Sequence, residues 1–304
     1  MACTHALLCT QKRRLILVAC ALLFLAGIVA LAFFLGKHHH SEIPPENWKG
    51  AGTTADLYEI ILGRCDDYVM FVNPGVRNKD CRKLYQLFKA SVMKRNQCNI
   101  TTVDYEELFQ FSSSPIPCNQ SLLWSKTSDL AHLYAKSVPN ILTLEDTLLG
   151  YVANRLSWCG HSSNSGWNYK SCPARYECDN NPVSAFWRTA SAHVSGSFAK
   201  QACGVVHVML NGSIPAGAIK PDSIFSSVEV PSLDPVRISE VRIWVMDNID
   251  GPDRNSCSSK NQTDLEAKLL ERNISSICVD NYWPVHILQC VRTPNESACK
   301  SKTG

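Results

Sequence analysis

The sequence predicts an α+β fold with a helical N-terminal lobe and a C-terminal lobe that has a small parallel sheet flanked by helices, all after an N-terminal transmembrane helix. Three observations support this prediction. An uncharged apolar run occupies residues 15–36, helical periodicity dominates residues 58–200, and strand-like apolar runs begin after residue 203. Helices followed by strands that alternate with helices are typical of the α+β class.

The apolar run at residues 15–36 is long enough to cross a bilayer, for which a helix needs about 20 residues. The alternative is a cleavable signal peptide, whose apolar core is shorter, roughly 7–15 residues. Lys12, Arg13 and Arg14 precede the run and favour a cytosolic N-terminus. We therefore expect a single-pass type II protein of the cell membrane, with a cytosolic tail at 1–14, an anchor at 15–36, a stalk at 37–50 and an extracellular ectodomain at 51–304.

The cysteines and sequons agree with an extracellular location. Of the 15 Cys, Cys3, Cys9 and Cys20 lie in the tail or anchor, and the other twelve form an even set, which indicates disulfides in an oxidising compartment. The lack of paired CxxC motifs makes a zinc site a weak reading, and the net charge of +3, with scattered basic residues, gives no sign of nucleic-acid binding. Each Asn-x-Ser/Thr sequon alone is a common chance match, but six together predict a glycosylated ectodomain: Asn99, Asn119, Asn211, Asn261, Asn273 and Asn295.

Apolar spacing predicts the elements of the ectodomain. Recurrence at three and four residues predicts helices within residues 58–72, 81–94, 128–138 and 143–158. The apolar run GVVHVML, closed by Asn211-Gly212, predicts a buried strand. Further strands are expected at residues 224–230, 241–246 and 286–291, with a helix at 264–273 between the last two.

Two adjacent acids, Glu145 and Asp146, open the helical stretch at residue 143. On a helix of about 100° per residue, Glu145 falls inside the apolar arc and Asp146 outside it. Thr143 and Asp146 have the spacing of a capping box, so we assign Asp146 to capping. Burying an unpaired carboxylate is costly. Three explanations for Glu145 therefore remain: it has a functional role, it pairs with an arginine, or it lies in a solvated groove.

A second acid, Glu229, has a similar profile. Strand alternation in residues 224–230 places it on one face with Phe225 and Ser227, either as an edge charge or as a site residue. Two tryptophans, Trp124 and Trp187, stand in apolar stretches, where a core position is the more common role.

These segments together resemble the ADP-ribosyl cyclase/cyclic ADP-ribose hydrolase family, specifically its transmembrane lymphocyte-surface branch. The resemblance extends from about Trp48 to Cys299. Its motifs are LGRC (62–65), IPCNQSLLWSK (116–126), TLEDTLLGY (143–151), SWCG (157–160), NNPVSAFW (180–187), VVHVMLNGS (205–213), SVEV (227–230) and LQCV (288–291). It implies a helical lobe and a parallel-sheet lobe with an active cleft between them. It also implies the disulfides Cys65–Cys81, Cys98–Cys178, Cys118–Cys203, Cys159–Cys172, Cys257–Cys278 and Cys290–Cys299.

Matching the motifs implies roles for individual residues. Glu229 takes the place of the catalytic glutamate, and Glu145 that of the acid at the nicotinamide end of the substrate. The implied substrate-binding residues are the cleft tryptophans Trp124 and Trp187, the phosphate contacts Ser125, Lys126 and Ser191, and the cleft aromatic Phe225. NAD and cyclic ADP-ribose are the implied substrates, and we expect no cofactor and no metal.

Some positions depart from the family pattern. Asn154 replaces an acid that lines the cleft, Ile224 stands where hydrolytic members often have Thr, and Ser128 stands where they often have a second Lys. We expect an enzyme that converts NAD to ADP-ribose and cyclic ADP-ribose. The alternative is a catalytically weak receptor or adhesion ectodomain that retains the fold. The resemblance leaves a homodimer open.

Overall fold

The structure is a computed structural model that describes residues 48–193 and 198–300. The strands in these residues are β1 (Gly50–Ala51), β2 (Leu122–Ser125), β3 (Ser171–Cys172), β4 (Gly204–Asn211), β5 (Ile238–Met246) and β6 (Ser275–Asp280). The main sheet is parallel and has the strand order β2-β4-β5-β6. β1 and β3 form a separate antiparallel pair.

Helices and short turns connect these strands. The α-helices are α1 (Leu57–Asp67), α2 (Cys81–Ala90), α3 (Glu106–Ser112), α4 (Ser128–Ser137), α5 (Leu148–Ala153), α6 (Pro182–Arg188), α7 (Phe198–Gln201), α8 (Val230–Ser232), α9 (Lys260–Glu271), α10 (Trp283–Arg292) and α11 (Ser297–Lys300). Turns of 3₁₀-helix occur at Pro74–Val76, Val103–Tyr105, Leu144–Asp146 and Ser256–Ser258. Turns of π-helix occur at Tyr68–Val72, Thr189–His193 and Phe225–Glu229.

The predicted tail and anchor, and most of the predicted stalk, lie outside the described residues. Across residues 48–193 and 198–300, no helix combines the length and apolarity that a bilayer span requires. Trp48, at the end of the predicted stalk, is buried, and Gly50 pairs with Cys172. These residues are therefore part of the folded unit.

One hydrophobic core lies among the helices. Phe186 on α6 is at its centre and is fully buried. Its ring contacts those of Phe88, Tyr105 and Trp158 at centroid distances of 6.0, 5.4 and 5.2 Å. Burying a side chain of this size contributes roughly 1.5–3 kcal/mol. This packing fixes α6 and with it the neighbouring Trp187.

The sheet is buried on both faces, as parallel sheets usually are. Alternation along β4 sends Val206 and Val208 into one apolar cluster and Met209 into another, where Leu122 of β2 and Trp244 of β5 also lie. The buried sheet is thus a rigid support for the side chains at the ends of its strands. Because β2 and α4 come from the first half of the chain, the predicted division into an N-terminal helical lobe and a C-terminal sheet lobe does not follow chain order.

Two predicted strands are wrong. Residues 224–230 form the π-helical turn Phe225–Glu229 and enter α8. Ser223 stabilises this turn, because its hydroxyl accepts a hydrogen bond from Ser226 N at 3.1 Å and its carbonyl accepts one from Ser227 N at 2.9 Å. Such local bonds favour turns over sheet ladders. Residues 286–291 lie in α10, which has a proline in its first turn, a favoured helix start.

The helical stretch predicted at residue 143 is divided. The 3₁₀ turn Leu144–Asp146 ends at Thr147, whose ψ of 160° is extended, and α5 begins afterwards. The capping role of Asp146 is confirmed, since its Oδ2 accepts hydrogen bonds from Thr143 N at 2.7 Å and Thr143 Oγ1 at 2.8 Å. Gly150 is required here because a Cβ would overlap the carbonyl of Leu144. The helical-wheel position predicted for Glu145 therefore does not apply.

Six disulfides stabilise the fold, with the pairing that the resemblance implies: Cys65–Cys81, Cys98–Cys178, Cys118–Cys203, Cys159–Cys172, Cys257–Cys278 and Cys290–Cys299. Cys118–Cys203 joins the segments that lead into β2 and β4. Asn119, beside it, accepts a hydrogen bond at Oδ1 from Val205 N at 2.7 Å. The start of the β2–β4 pair is therefore fixed by a covalent and a polar contact.

Candidate active site

A cavity of about 910 Å³ is lined by residues from both the helices and the sheet. It brings together residues that are far apart in sequence. Every predicted substrate-binding or catalytic residue lies on its wall: Trp124, Ser125, Lys126, Glu145, Asn154, Trp187, Ser191, Phe225 and Glu229. Ser128 and Ile224, which depart from the family pattern, also line it.

Trp124 and Ser125 reach the cavity from the carboxyl end of β2, the usual ligand-binding edge of a parallel sheet. Lys126 follows with a left-handed φ of 60° and turns the chain away from the strand. Its carbonyl accepts a hydrogen bond from Asn211 Nδ2 at 3.2 Å, and Thr127 Oγ1 donates to Met209 O at 2.9 Å. These contacts with β4 hold the turn in place.

Glu145 faces the indole of Trp124. Trp124 Nε1 donates a hydrogen bond to Glu145 Oε2 at 3.2 Å, and His132 Nε2 lies 3.8 Å from the same oxygen. The Glu145 side chain is only 10% exposed. In the described part of the chain these partners, rather than an arginine, surround the carboxylate.

Glu229 is a buried acid of the cavity. Only 6% of the residue is exposed, and its Oε2 has no hydrogen-bond partner among the described residues. Burial raises the pKa of Glu229 to about 8; a hydrogen bond from Ser191 acts to lower it, and the charge of Glu145 adds to the increase. A cation in the cavity would favour the charged carboxylate. The position is therefore suited to stabilising positive charge.

Two further residues of the cavity wall, Trp187 and Ser191, come from α6 and the turn after it. Asn181 caps α6 by accepting a hydrogen bond from Ser184 N at 2.9 Å. Trp187 follows the buried Phe186, with their rings 5.2 Å apart and at 87°. Ser191 lies in the next turn and is 2% exposed. Local helix packing thus presents an indole and a hydroxyl to the same cavity.

Asn154 is held by a residue that the sequence did not single out. Arg64 Nη1 on α1 donates hydrogen bonds to the carbonyls of Val152 at 3.1 Å and Asn154 at 2.7 Å, where α5 ends. Arg64 belongs to the motif LGRC, which is the only signal that could have indicated it. Further charged or aromatic residues of the cavity wall come from loops without a distinctive pattern: Arg155, Arg175, Tyr176, Asp179, Lys220 and Asp222.

Within residues 48–193 and 198–300, no cluster of three or more His, Cys, Asp or Glu side chains could hold a metal ion. The polar groups of the cavity are instead four acids, together with hydroxyls and basic side chains. Together with the two indoles, they fit an organic molecule that carries both a cationic ring and phosphates.

A family model described as ADP-ribosyl cyclase matches residues 54–299. The chain belongs to the ADP-ribosyl cyclase family. It is 45% identical over 257 residues to ADP-ribosyl cyclase/cyclic ADP-ribose hydrolase 1 of Rattus norvegicus, an alignment that covers 84% of this chain and 83% of that protein. It is 38% identical over 256 residues to ADP-ribosyl cyclase/cyclic ADP-ribose hydrolase 2 of Homo sapiens, with 84% and 79% covered.

Solved structures of ADP-ribosyl cyclases share the fold. Porcine CD38 complexed with a covalent intermediate, ribo-F-ribose-5'-phosphate, has a TM-score of 0.72 at 39% identity and covers 77% of this chain and 99% of that chain. Aplysia cyclase complexed with substrate NGD and product cGDPR has a TM-score of 0.74 at 32% identity and covers 82% and 98%. The resemblance predicted from the motifs is therefore confirmed at the level of the family.

Proposed function

We propose that this chain cleaves the bond between nicotinamide and ribose in NAD, yielding ADP-ribose and cyclic ADP-ribose, and that it also hydrolyses cyclic ADP-ribose. The observation that carries the proposal is the buried carboxylate of Glu229, which lacks a partner for Oε2 in the described residues and lines one cavity with Glu145, Trp124 and Trp187. The activities of its relatives agree with this assignment.

The chemistry needs one well-placed negative charge. The nicotinamide of NAD is a pyridinium, so it takes the bonding electron pair and leaves as a neutral ring without a general acid. Ordinary glycosidases use two carboxylates because their leaving group must be protonated. Positive charge develops on the ribose instead, and a preorganised carboxylate at Glu229 stabilises it. Comparable electrostatic contacts contribute roughly 3–4 kcal/mol.

Two indoles and a second acid would bind the nicotinamide end of NAD, which is the leaving group. Stacking and cation–π attraction from Trp124 and Trp187 hold the pyridinium, at about 0.5–2 kcal/mol each. Glu145 accepts a hydrogen bond from the carboxamide, which explains why its carboxylate lines the cavity rather than facing solvent. Asn154 preserves a polar contact at this end but not a charge.

The remaining residues serve the rest of the substrate. Lys126 offsets the diphosphate charge, and the hydroxyls of Ser125 and Ser191 donate hydrogen bonds to it. Phe225 supplies an apolar wall. Water that adds to the ribosyl carbon and loses a proton gives ADP-ribose. A ring nitrogen of adenine that adds to the same carbon gives cyclic ADP-ribose.

Two departures would affect the products. Ile224 lines the cavity next to Phe225, and its bulky apolar side chain excludes water and favours cyclisation. Ser128 provides no positive charge for the cyclic product, which weakens its hydrolysis. Both effects concern the partition of the products and leave the first bond cleavage in place.

We place the enzyme outside the cytosol, as a single-pass type II glycoprotein. The apolar run at 15–36 with its preceding basic residues supports an anchor. The six disulfides support an oxidising compartment. Most sequons are exposed, as glycosylation requires: Asn99, Asn119, Asn261, Asn273 and Asn295, with Asn211 half-buried at the end of β4.

Nicotinamide release from NAD by the full-length protein tests the proposal. We expect wild type to release nicotinamide and Glu229→Gln to lose at least about 100-fold in kcat, in line with the loss of a preorganised charge contact. Glu107→Gln, which removes an exposed acid on α3, is the matched control. Undiminished release in E229Q would refute the role of Glu229, and no release from wild type would favour a receptor ectodomain.

A further inference from the structure

A chain of contacts joins the two adjacent acids, Glu145 and Asp146, through His132 on α4. Thr143 Oγ1 lies 2.8 Å from Asp146 Oδ2 and 3.3 Å from His132 Nδ1. On its other side, His132 Nε2 lies 3.8 Å from Glu145 Oε2, the oxygen that accepts from the indole of Trp124. Thr143 is fully buried and the His132 side chain is 20% exposed, so little water competes for these contacts.

Hydrogen-bond capacity determines which nitrogens of His132 carry protons. An ionised carboxylate can only accept, so the single hydroxyl proton of Thr143 is donated to Asp146. The Thr143 oxygen can then only accept from His132, which requires a proton on Nδ1. Nε2 therefore faces Glu145 either as a lone pair or as a second N–H. A proton between Nε2 and Oε2 is favourable, because a lone pair opposite a carboxylate is repulsive.

We propose that His132 is a positioning residue for Glu145. Asp146 and Thr143 orient the imidazole through Nδ1, and Nε2 holds Glu145 Oε2 beside Trp124. The other oxygen of Glu145 is left for the substrate. This inference rests on the proposed function, in which Glu145 accepts a hydrogen bond from the nicotinamide carboxamide. It gives the capping acid Asp146 an indirect part in orienting the cavity acid.

The kinetic consequence follows from when the carboxamide contact is made. It is present in the bound substrate and in the transition state alike, because the carboxamide does not react. Loss of such a contact raises KM and leaves kcat nearly unchanged. A merely structural defect would instead reduce the amount of active enzyme and lower the apparent kcat.

Two substitutions in the full-length protein separate the two sides of the imidazole. His132→Gln retains an amide N–H at the position of Nε2, whereas His132→Asn retains one at the position of Nδ1 and none towards Glu145. We expect H132Q to keep KM for NAD within about threefold of wild type. We expect H132N to raise it about tenfold at similar kcat, as for a lost polar contact with a charged group. His161→Asn, outside the cavity, is the control. Equal KM values for H132Q and H132N, or a loss confined to kcat, would overturn the proposal.

Imidazole ¹⁵N NMR of the full-length protein provides a readout without activity. We expect both imidazole nitrogens of His132, assigned by the signals missing from H132N, to carry protons. Thr143→Val should shift the Nδ1 resonance, and Glu145→Gln should shift the Nε2 resonance while Glu107→Gln leaves both in place. An unprotonated Nε2 in wild type, or an Nε2 resonance insensitive to E145Q, would overturn the arrangement. If wild type releases no nicotinamide, the proposed function fails but the NMR experiment still decides the contact.

Discussion

Glu229 is buried within electrostatic reach of Glu145, although the two acids belong to turns more than 80 residues apart in sequence. Burial and, to a lesser degree, the charge of Glu145 hold the pKa of Glu229 at about 8. Without a cationic substrate, the protonated form of Glu229 is therefore favoured at neutral pH. A cationic substrate favours its ionisation, so substrate binding and formation of the active carboxylate support each other.

This relationship predicts the pH dependence of catalysis. If the carboxylate of Glu229 is the active form, kcat/KM for NAD rises from pH 6 towards pH 8 and levels off above it, because kcat/KM reports ionisation in the free enzyme. Glu145→Gln removes a charge that raises the pKa of Glu229, so the midpoint should move to lower pH. Steady-state kinetics across this range measure both effects. A midpoint that E145Q leaves unchanged would contradict the coupling.

The same pKa predicts a pH-dependent stability. The pKa of Glu229 is about 8 in the folded protein, against 4.5 for an ordinary glutamate. Between these values the folded state holds a proton that the unfolded state has lost, so stability falls as pH rises through this window. Thermal unfolding at pH 5 and pH 8 measures this effect. We expect Tm to fall less between these pH values in Glu229→Gln than in wild type, and the variant to be the more stable protein at pH 8. An identical pH dependence in wild type and variant would count against a buried, ionisable Glu229.

Replacing Ile224 should change the partition of products. Ile224→Thr introduces a smaller polar side chain at the cavity wall, admits water and shifts the products towards hydrolysis. Ile224→Val, which stays apolar, is the control and should retain more cyclisation. Nicotinamide guanine dinucleotide measures the ratio, since its cyclic and linear products can be separated by chromatography. A cyclic fraction that does not fall in I224T would exclude this role.

The start of β4 should be sensitive to a side chain at Gly204. This glycine has a φ of 69°, and a Cβ would overlap Asn119 Oδ1, which accepts the hydrogen bond from Val205 N. We expect Gly204→Ala to lower the free energy of unfolding by about 1–3 kcal/mol. Gly63→Ala in α1, where a Cβ meets no atom within 4 Å, should instead be neutral or stabilising. Denaturant unfolding of both variants tests the contrast; equal effects would show that the conformation of Gly204 is unimportant.

Local chemistry made some features predictable from sequence. The capping pair Thr143–Asp146 depends on residues three apart, and β4 and β5 are long enough for their apolar runs to be distinctive. β2 comprises only four residues, and β6, at an edge of the sheet, alternates between exposed and half-buried residues. Neither segment therefore has an apolar run that identifies it as a strand in the sequence. The run at 224–230 has strand-like alternation, but its serines bond to the backbone in a turn.

The site residues were predictable only through the motifs. Glu145 and Glu229 each had a plausible role on the surface or in a wet groove, and no periodicity places them in one cavity. His132 and Arg64 act through contacts with residues distant in sequence, which a pattern along the chain does not reveal. Disulfide pairing has the same limitation, because spacing alone does not select among the alternatives.

The pairing of β2 with β4 also constrains the order in which the molecule can be assembled during synthesis. β2 carries Trp124, but its strand partner begins at Gly204, and Cys118 waits for Cys203. A nascent chain halted before residue 204 therefore has an apolar strand with an unsatisfied backbone edge. Chains truncated between β2 and β4 should remain bound to chaperones and fail quality control, whereas chains that extend past β4 can pair β2 with β4.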